Sequence, residues 1–224
     1  HRLGLSPTEW RAVLAEGPNW RAHGICGLMS HYACADEADH PLNARQRDAA
    51  QAAAQAAGLP LSLGNSSGIF LGEGFRGDVV RPGMALYGLN PTPHTANPMR
   101  PVVTLEAQVL QVRTVTADGT AGYGASAEVR RGQVLATVGL GYADGLHRML
   151  SNRGQMFFAG VPAPIVGRVS MDSIIVDASQ LPRLPSPGDW AEVIGPNQPA
   201  DMLADKAGTI GYEIFDNATS LGTT

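Results

Sequence analysis

The sequence predicts an α/β unit over residues 1–97 followed by an all-β unit over residues 98–224. Three observations carry that reading. Helical and strand-like runs alternate through the first half, as a parallel α/β arrangement requires. Four prolines fall within "NPTPHTANPMRP" (90–101), which reads as a linker. Beyond it, short β-rich runs recur at close spacing, as in a barrel or a sandwich.

Each element has its own signal. "SPTEWRAVLAE" starts a helix, with Ser6 at the N-cap, Pro7 at the first helical position and Glu9 placed to complete a capping box. "GICGLMSHYA" is a short apolar run bounded by glycine, which suits a buried strand. "PLNARQRDAAQAAAQAAGLP" is an alanine-rich helix closed by Gly58 and Pro60. "LSLGNSSGIF" reads as a brief strand turning into a helix at Asn65–Ser67, and "GDVVRPGMALYGL" as a strand broken by Pro82 and Gly83. In the second half, "VVTLEAQVLQVRTV", "GQVLATVGLGY", "GQMFFAG", "VPAPIVGRVS", "SIIVDA" and "DWAEVIG" are the strand runs. Only "ADMLADKAGTIGYEIF" returns to helical composition.

Composition narrows the function. The 224 residues are 44% hydrophobic with a net charge of −4, enough for a sizeable core and without a dominant charge sign. No basic run interleaves with aromatics, so nucleic acid is not an expected partner. No apolar run reaches the ~18 residues of a membrane helix. No metal-ligand spacing is present. Cys26 and Cys34 are too few for a disulfide framework and favour a reducing compartment, although a pair can still bridge. "HRLGL" reads as the end of an element already under way and "ATSLGTT" as a stop without one, so the expectation is a piece of a longer chain. Lys206 is the only lysine among sixteen basic residues.

Several places combine glycine, turns and polar side chains. In "TAGYGASAEV", Tyr123 lies between Gly122 and Gly124. This is a tight turn that happens to carry an aromatic ring, or a delivered acid/base group. Asn65, Ser66 and Ser67 precede a helix start, where unpaired N–H groups favour an anion, and an ordinary N-cap explains the same residues. Arg81 ends a strand before Pro82–Gly83, as a surface arginine also could. His31 follows an apolar strand, where a barrel enzyme keeps its active site and where a core-edge histidine is also at home. Tyr142, Asp144, Arg148, Arg168, Met171, Asp172 and Tyr212 lie in turns of the β-rich half, each with a bland account of its own.

Their order along the chain separates these readings. "HRLGL", "MSHYACAD", "GNSSGI", "VVRPGMALYGLNP", "AGYGAS", "GLGYADGLHRMLSNRG", "PAPIVGRVSMDSIIVD" and "GTIGYEI" together resemble the alanine racemases, which interconvert L- and D-alanine using pyridoxal 5′-phosphate (PLP). The resemblance implies the later part of a PLP-binding (β/α)8 barrel, then a β-rich barrel-like domain. It also implies a cytoplasmic homodimer that shares its active sites between chains and supplies D-alanine.

The resemblance implies roles residue by residue. Tyr123 is the base toward L-alanine, and its flanking glycines give substrate and cofactor room. Arg81 faces the pyridine nitrogen, and His31 stands beside Arg81 and the tyrosine. Ser66, the backbones of Gly83 and Met84, and Tyr212 hold the phosphate. Arg2, Met171 and Asp172 contact substrate. Tyr142, Arg148 and Arg168 line the access channel.

The family's second base, the lysine that holds PLP, has no match here, since Lys206 falls at no catalytic position. The expectation is that this chain alone neither racemises alanine nor holds PLP covalently. Related racemases of serine, lysine, arginine or broad specificity, the fold-related decarboxylases, and a non-catalytic PLP-binding remnant are the competing readings. "GRVSMD" and "RPGMALYG" favour the racemases over the decarboxylases.

Overall fold

A computed structural model describes residues 3–218. They divide into two units: residues up to Leu86 with Asn90–Met99, and Tyr87–Leu89 with the residues from Arg100 onward.

The first unit begins with α1 (Pro7–Ala15). The Glu9 N–H donates to Ser6 Oγ at 3.3 Å and the Ser6 N–H to Glu9 Oε2 at 2.6 Å, closing the capping box. Those hydrogen bonds hold the Glu9 carboxyl below its ordinary range. Then come β1 (Leu28–Met29), α2 (Pro41–Ala57), β2 (Leu61–Asn65), α3 (Ser66–Phe70) and β3 (Val79–Arg81). The three strands are parallel, in the order β1-β2-β3. In α2, Ala50 and Ala54 are small enough to bring the helix close to Leu61 and Leu63 of β2, and Gly58 ends it in a left-handed C-cap. Tyr32 completes this core. It is 2% exposed, and its hydroxyl donates to the Phe75 carbonyl at 3.1 Å.

One strand expectation is corrected. "GICGLMSHYA" contributes only the two residues of β1, and Met29 is 71% exposed. Among the described residues β1 is an edge strand, pairing with β2 on one flank. The buried anchor of this segment is Tyr32, beyond the strand.

The second unit contains β4 (Leu105–Thr114), β5 (Gly119–Ala121), β6 (Ala127–Val129), β7 (Val134–Val138), β8 (Gln155–Phe158), β9 (Val161–Pro164), β10 (Ile174–Asp177), β11 (Trp190–Ile194), α4 (Ala200–Ala207) and α5 (Gly211–Ala218). Six strands pair antiparallel in the order β10-β7-β4-β11-β8-β9. An antiparallel bridge from Ile165 to Val176 joins the two ends, so the sheet closes as a barrel rather than a sandwich. Alternate residues face inward, and Val109, Val138, Met156, Ala163, Val176 and Val193 are buried. The β5–β6 hairpin was not expected from the sequence, because its three-residue strands are too short to show a period. The single helical run expected near the end is two helices, divided where Gly208 turns left-handed. Among the described residues, no helix is long and apolar enough to cross a membrane.

Burial sets a pH limit on the first unit. A Tyr32 phenolate would lose its hydration in the core, which pushes its pKa up to about 12 from 10. A raised folded value means that this stabilisation is whole below pH 10 and is lost as pH rises towards 12. Denaturant unfolding from pH 9 to pH 12 is expected to show a loss of stability above about pH 10 that Tyr32→Phe reduces.

Candidate functional site

In the first unit the polar residues gather where the parallel strands end. β2 ends at Asn65 and β3 at Arg81, which are paired in register, and Ser30 and His31 follow β1. Placing polar groups at the carboxyl ends of parallel strands is how an α/β sheet builds a site.

The guanidinium of Arg81 ties these ends together. Its Nη1 donates to Ser62 Oγ at 2.7 Å, and its Nη2 donates to the Ser30 carbonyl at 2.7 Å and the Leu63 carbonyl at 3.4 Å. Its Nη2 also stands 3.3 Å from His31 Nδ1. Arginine has only donors, so a proton on the His31 nitrogen facing it would meet one of them. That Nε2 faces Asn65 Nδ2 at 3.3 Å. The Asn65 amide cannot be turned about without cost, because its Oδ1 caps α3 by accepting from the Gly68 N–H at 2.9 Å. Both ring nitrogens of His31 thus face donors, and the charged guanidinium opposes a ring proton more than the neutral amide does, which favours the proton on Nε2.

Ser66, the first residue of α3, is buried. Its Oγ accepts from the Gly83 N–H at 2.9 Å and from the Ala85 N–H at 3.3 Å, which directs its own proton elsewhere. The Gly83 N–H was expected to face the phosphate. It donates to Ser66 Oγ instead. The Met84 N–H opens a 3-10 turn (Met84–Tyr87) and has no hydrogen-bond partner among the described residues. A Cβ on Gly83 would meet nothing within 4 Å.

In the second unit, four loops meet. Tyr123 sits between β5 and β6, 71% exposed. Gly122 has φ +77° and Gly124 φ +71°, both left-handed. A Cβ on Gly122 would fall 3.0 Å from the Arg168 nitrogen and 3.1 Å from the Gly167 Cα. One on Gly124 would fall 3.3 Å from the Arg168 guanidinium carbon. Gly122 is thus required by the chain's own packing and Gly124 makes room for the Arg168 guanidinium, reasons that the sequence reading did not contain.

The neighbouring loops lock onto the same segment. The Tyr142 N–H donates to the Ser170 carbonyl at 2.9 Å and the Ala143 N–H to the Met171 carbonyl at 3.0 Å. Gly141 permits this, since a Cβ there would lie 2.1 Å from the Met171 carbonyl oxygen. The Arg148 guanidinium lies over the Tyr142 ring at 5.6 Å. Tyr123, Tyr142, Arg148, Arg168, Met171 and Asp172 therefore belong to one loop cluster. Asp144 stays a turn residue, its carboxylate accepting from the Gly141 N–H at 2.8 Å. Tyr212 is not in this cluster and lies at the start of α5, half exposed. Arg2 lies outside the described residues. Lys206 Nζ, in the last turn of α4, donates to Gln155 Oε1 at 3.1 Å.

The donor set fits PLP. Ser66 and the Met84 N–H offer hydrogens and no negative charge, which suits a phosphate. Every hydrogen bond of Arg81 uses Nη1 or Nη2, and its Nε–H has no partner among the described residues. No group of three or more potential metal-ligating side chains occurs among the described residues. Two residues of this arrangement escaped the sequence reading: Ser62, and Asn65 as a neighbour of His31. A serine alternating with leucines in "LSLGN" is the one signal that could have found Ser62.

Comparison with known proteins gives a consistent picture. Residues 1–91 match the family model described as alanine racemase, N-terminal domain, and residues 102–221 the one described as alanine racemase, C-terminal domain. An alanine racemase of Rhodospirillum rubrum is 50% identical over 216 residues, which is 96% of this chain and 58% of that protein. A catabolic alanine racemase of Agrobacterium fabrum is 48% identical over 99% of this chain and 57% of its own length. The crystal structure of alanine racemase from Bartonella henselae, with covalently bound pyridoxal phosphate, superposes with a TM-score of 0.90 at 43% identity, covering 99% of this chain and 61% of that one. The chain spans about three fifths of the length of these relatives.

The two glycines beside Tyr123 are expected to differ in cost. Gly122→Ala puts a Cβ against backbone in a conformation (φ 77°, ψ 167°) that is essentially glycine's alone, and is expected to cost about 2–3 kcal/mol. Gly124→Ala meets only a flexible guanidinium in the ordinary left-handed region and is expected to cost about 1 kcal/mol. Denaturant unfolding of the two variants checks the order.

Proposed function

The chain belongs to the alanine racemase family, and from that premise we propose that it carries the L-alanine side of a two-base, PLP-dependent alanine racemase. One observation supports this above the rest. The carboxyl ends of three parallel strands hold a permanently charged guanidinium and a set of donors, with no carboxylate hydrogen-bonded to Arg81 among the described residues.

PLP, when bound, draws electron density from the α-carbon of an attached amino acid and so makes its proton removable. The protein's part is to hold and to move protons. Ser66, the Met84 N–H and the Tyr212 hydroxyl would hold the phosphate, with Gly83 tied to Ser66. Arg81 stays protonated and gives no proton to a pyridine nitrogen, which keeps the electron sink weak and limits side reactions such as transamination.

Tyr123 takes the α-proton of L-alanine or returns it. A free tyrosine, with a pKa of ~10, is a poor base at neutral pH, so it needs donors beside it. The proposed donor is the His31 ring of a second copy of the chain, whose other nitrogen rests against Arg81. This makes the working form a homodimer with shared sites. Arg2, Met171 and Asp172 would contact substrate, while Tyr142, Arg148 and Arg168 would line its path inward. Two unbridged cysteines support a cytoplasmic place, and D-alanine for peptidoglycan is the product's proposed use.

Removal and return of a proton on opposite faces needs a second base. Lys206 donates to Gln155 and matches no catalytic position of the family, so the proposed second base is a lysine outside these 224 residues. Two measurements test the reading. The chain alone, incubated with PLP and borohydride, is expected to yield no covalent adduct, and an adduct on Lys206 would contradict it. In a racemising protein that joins this chain to a lysine-bearing segment, Tyr123→Phe is expected to slow α-deuterium exchange of L-alanine in D2O by about 10²–10⁴-fold. Exchange from D-alanine is expected to persist. Undiminished exchange from L-alanine would sink the assignment of Tyr123.

A further inference from the structure

We propose that Asn152 is a positioning residue that clamps the loop carrying Tyr123, and so sets where the tyrosine hydroxyl stands. The proposal rests on the reading of Tyr123 as a base.

The loop has little to hold itself in place. Gly122, Gly124 and Ala125 all have positive φ, and Ala125, at +49°, is not a glycine. Its internal tie is the Ala125 N–H to the Gly122 carbonyl, at 3.2 Å. The Tyr123 side chain, mostly in solvent, adds no packing. Such a loop costs backbone entropy and local strain, and it needs ties from outside.

Asn152 supplies them with one side chain. Its Nδ2 donates to the Ser126 carbonyl at 2.9 Å, at the end of the Tyr123 loop. Its Oδ1 accepts from the Gly167 N–H at 2.6 Å, and its own N–H donates to the Gly167 carbonyl at 3.1 Å. Gly167 is the residue against which Gly122 packs, and Arg168 lies over Gly124. The amide therefore joins the two segments whose contact shapes the tyrosine's turn. Neighbouring Ser151 reinforces the second segment, its Oγ accepting from the Val169 N–H at 3.0 Å.

Asn152 is exposed, so water competes for each bond, and the clamp is the three bonds acting together. Its φ of +55° suits asparagine, which tolerates the left-handed region. A residue present only for that backbone shape would be replaced without loss by glycine. Proton transfer, in contrast, is sensitive to placement: a displacement of about 1 Å can cost about 10²-fold in rate.

Two variants separate these roles. Asn152→Gly keeps the backbone shape and removes the whole amide. Asn152→Asp keeps the acceptor for Gly167 and replaces the donor facing Ser126 with an acceptor. Amide exchange in the full chain, read by NMR, is expected to rise at least about tenfold at Ala125 in both variants. At Gly167 it is expected to rise only in Asn152→Gly. Unchanged exchange at Ala125 in both variants would overturn the clamp.

In the racemising protein, Asn152→Asp is expected to raise the α-deuterium isotope effect for L-alanine and to leave that for D-alanine unmoved, with kcat falling about tenfold or more. General damage to the fold would lower kcat without that asymmetry. A loosened loop with both isotope effects unchanged would overturn the role of Asn152 in the reaction. Tyr123→Phe in the same assay then assigns the failure. If that variant still exchanges L-alanine at the native rate, the base assignment is at fault. If it does not, the clamp is.

Discussion

The site in the first unit depends on one charge that cannot be given up. Arg81 remains a cation at any pH the protein meets, and it has five donors and no acceptor. Once its fork is spread over Ser62 and the carbonyls of Ser30 and Leu63, the strand ends of β1, β2 and β3 are tied to one planar group. His31 is then favoured to bear its proton on Nε2, away from the charged guanidinium. A carboxylate at position 81 would reverse that choice and would also invite protonation of a pyridine ring. In the proposed racemase, the preference for racemisation over transamination would thus start from a single residue type.

The second unit solves a different problem, which is to hold polar loops at the rim of a closed barrel. It does so through close backbone approach. Gly122 against Gly167, and Gly141 against the Met171 carbonyl, leave no room for a side chain. Asn152 then adds hydrogen bonds where those segments meet. The barrel itself contributes rigidity, since the bridge from Ile165 to Val176 removes the free edges of the sheet.

Much of this was legible in the residues, and the exceptions have physical reasons. The capping box at Ser6–Glu9, the closure of α2 at Gly58 and the strand-to-helix turn at Asn65 follow from local chemistry, and local chemistry is written in consecutive residues. β1 was read as buried because apolar composition cannot say which of the three described strands lies at the edge. The β5–β6 hairpin was missed because three-residue strands show no period. The role of Gly122 and Gly124 was read toward a ligand, whereas their nearest demand comes from Gly167 and Arg168, more than 40 positions away. Ser62 and Asn152 act through partners distant in sequence, so no local pattern marks them.

The most direct test is the protonation of His31, since the charge on Arg81 favours one tautomer over the other. Nitrogen-15 NMR of the histidine ring in the full chain at neutral pH is expected to show a lone-pair nitrogen at Nδ1 and an N–H at Nε2. Replacing Arg81 by leucine is expected to release that preference. A proton on Nδ1 in the native chain, with or without one on Nε2, would contradict the account.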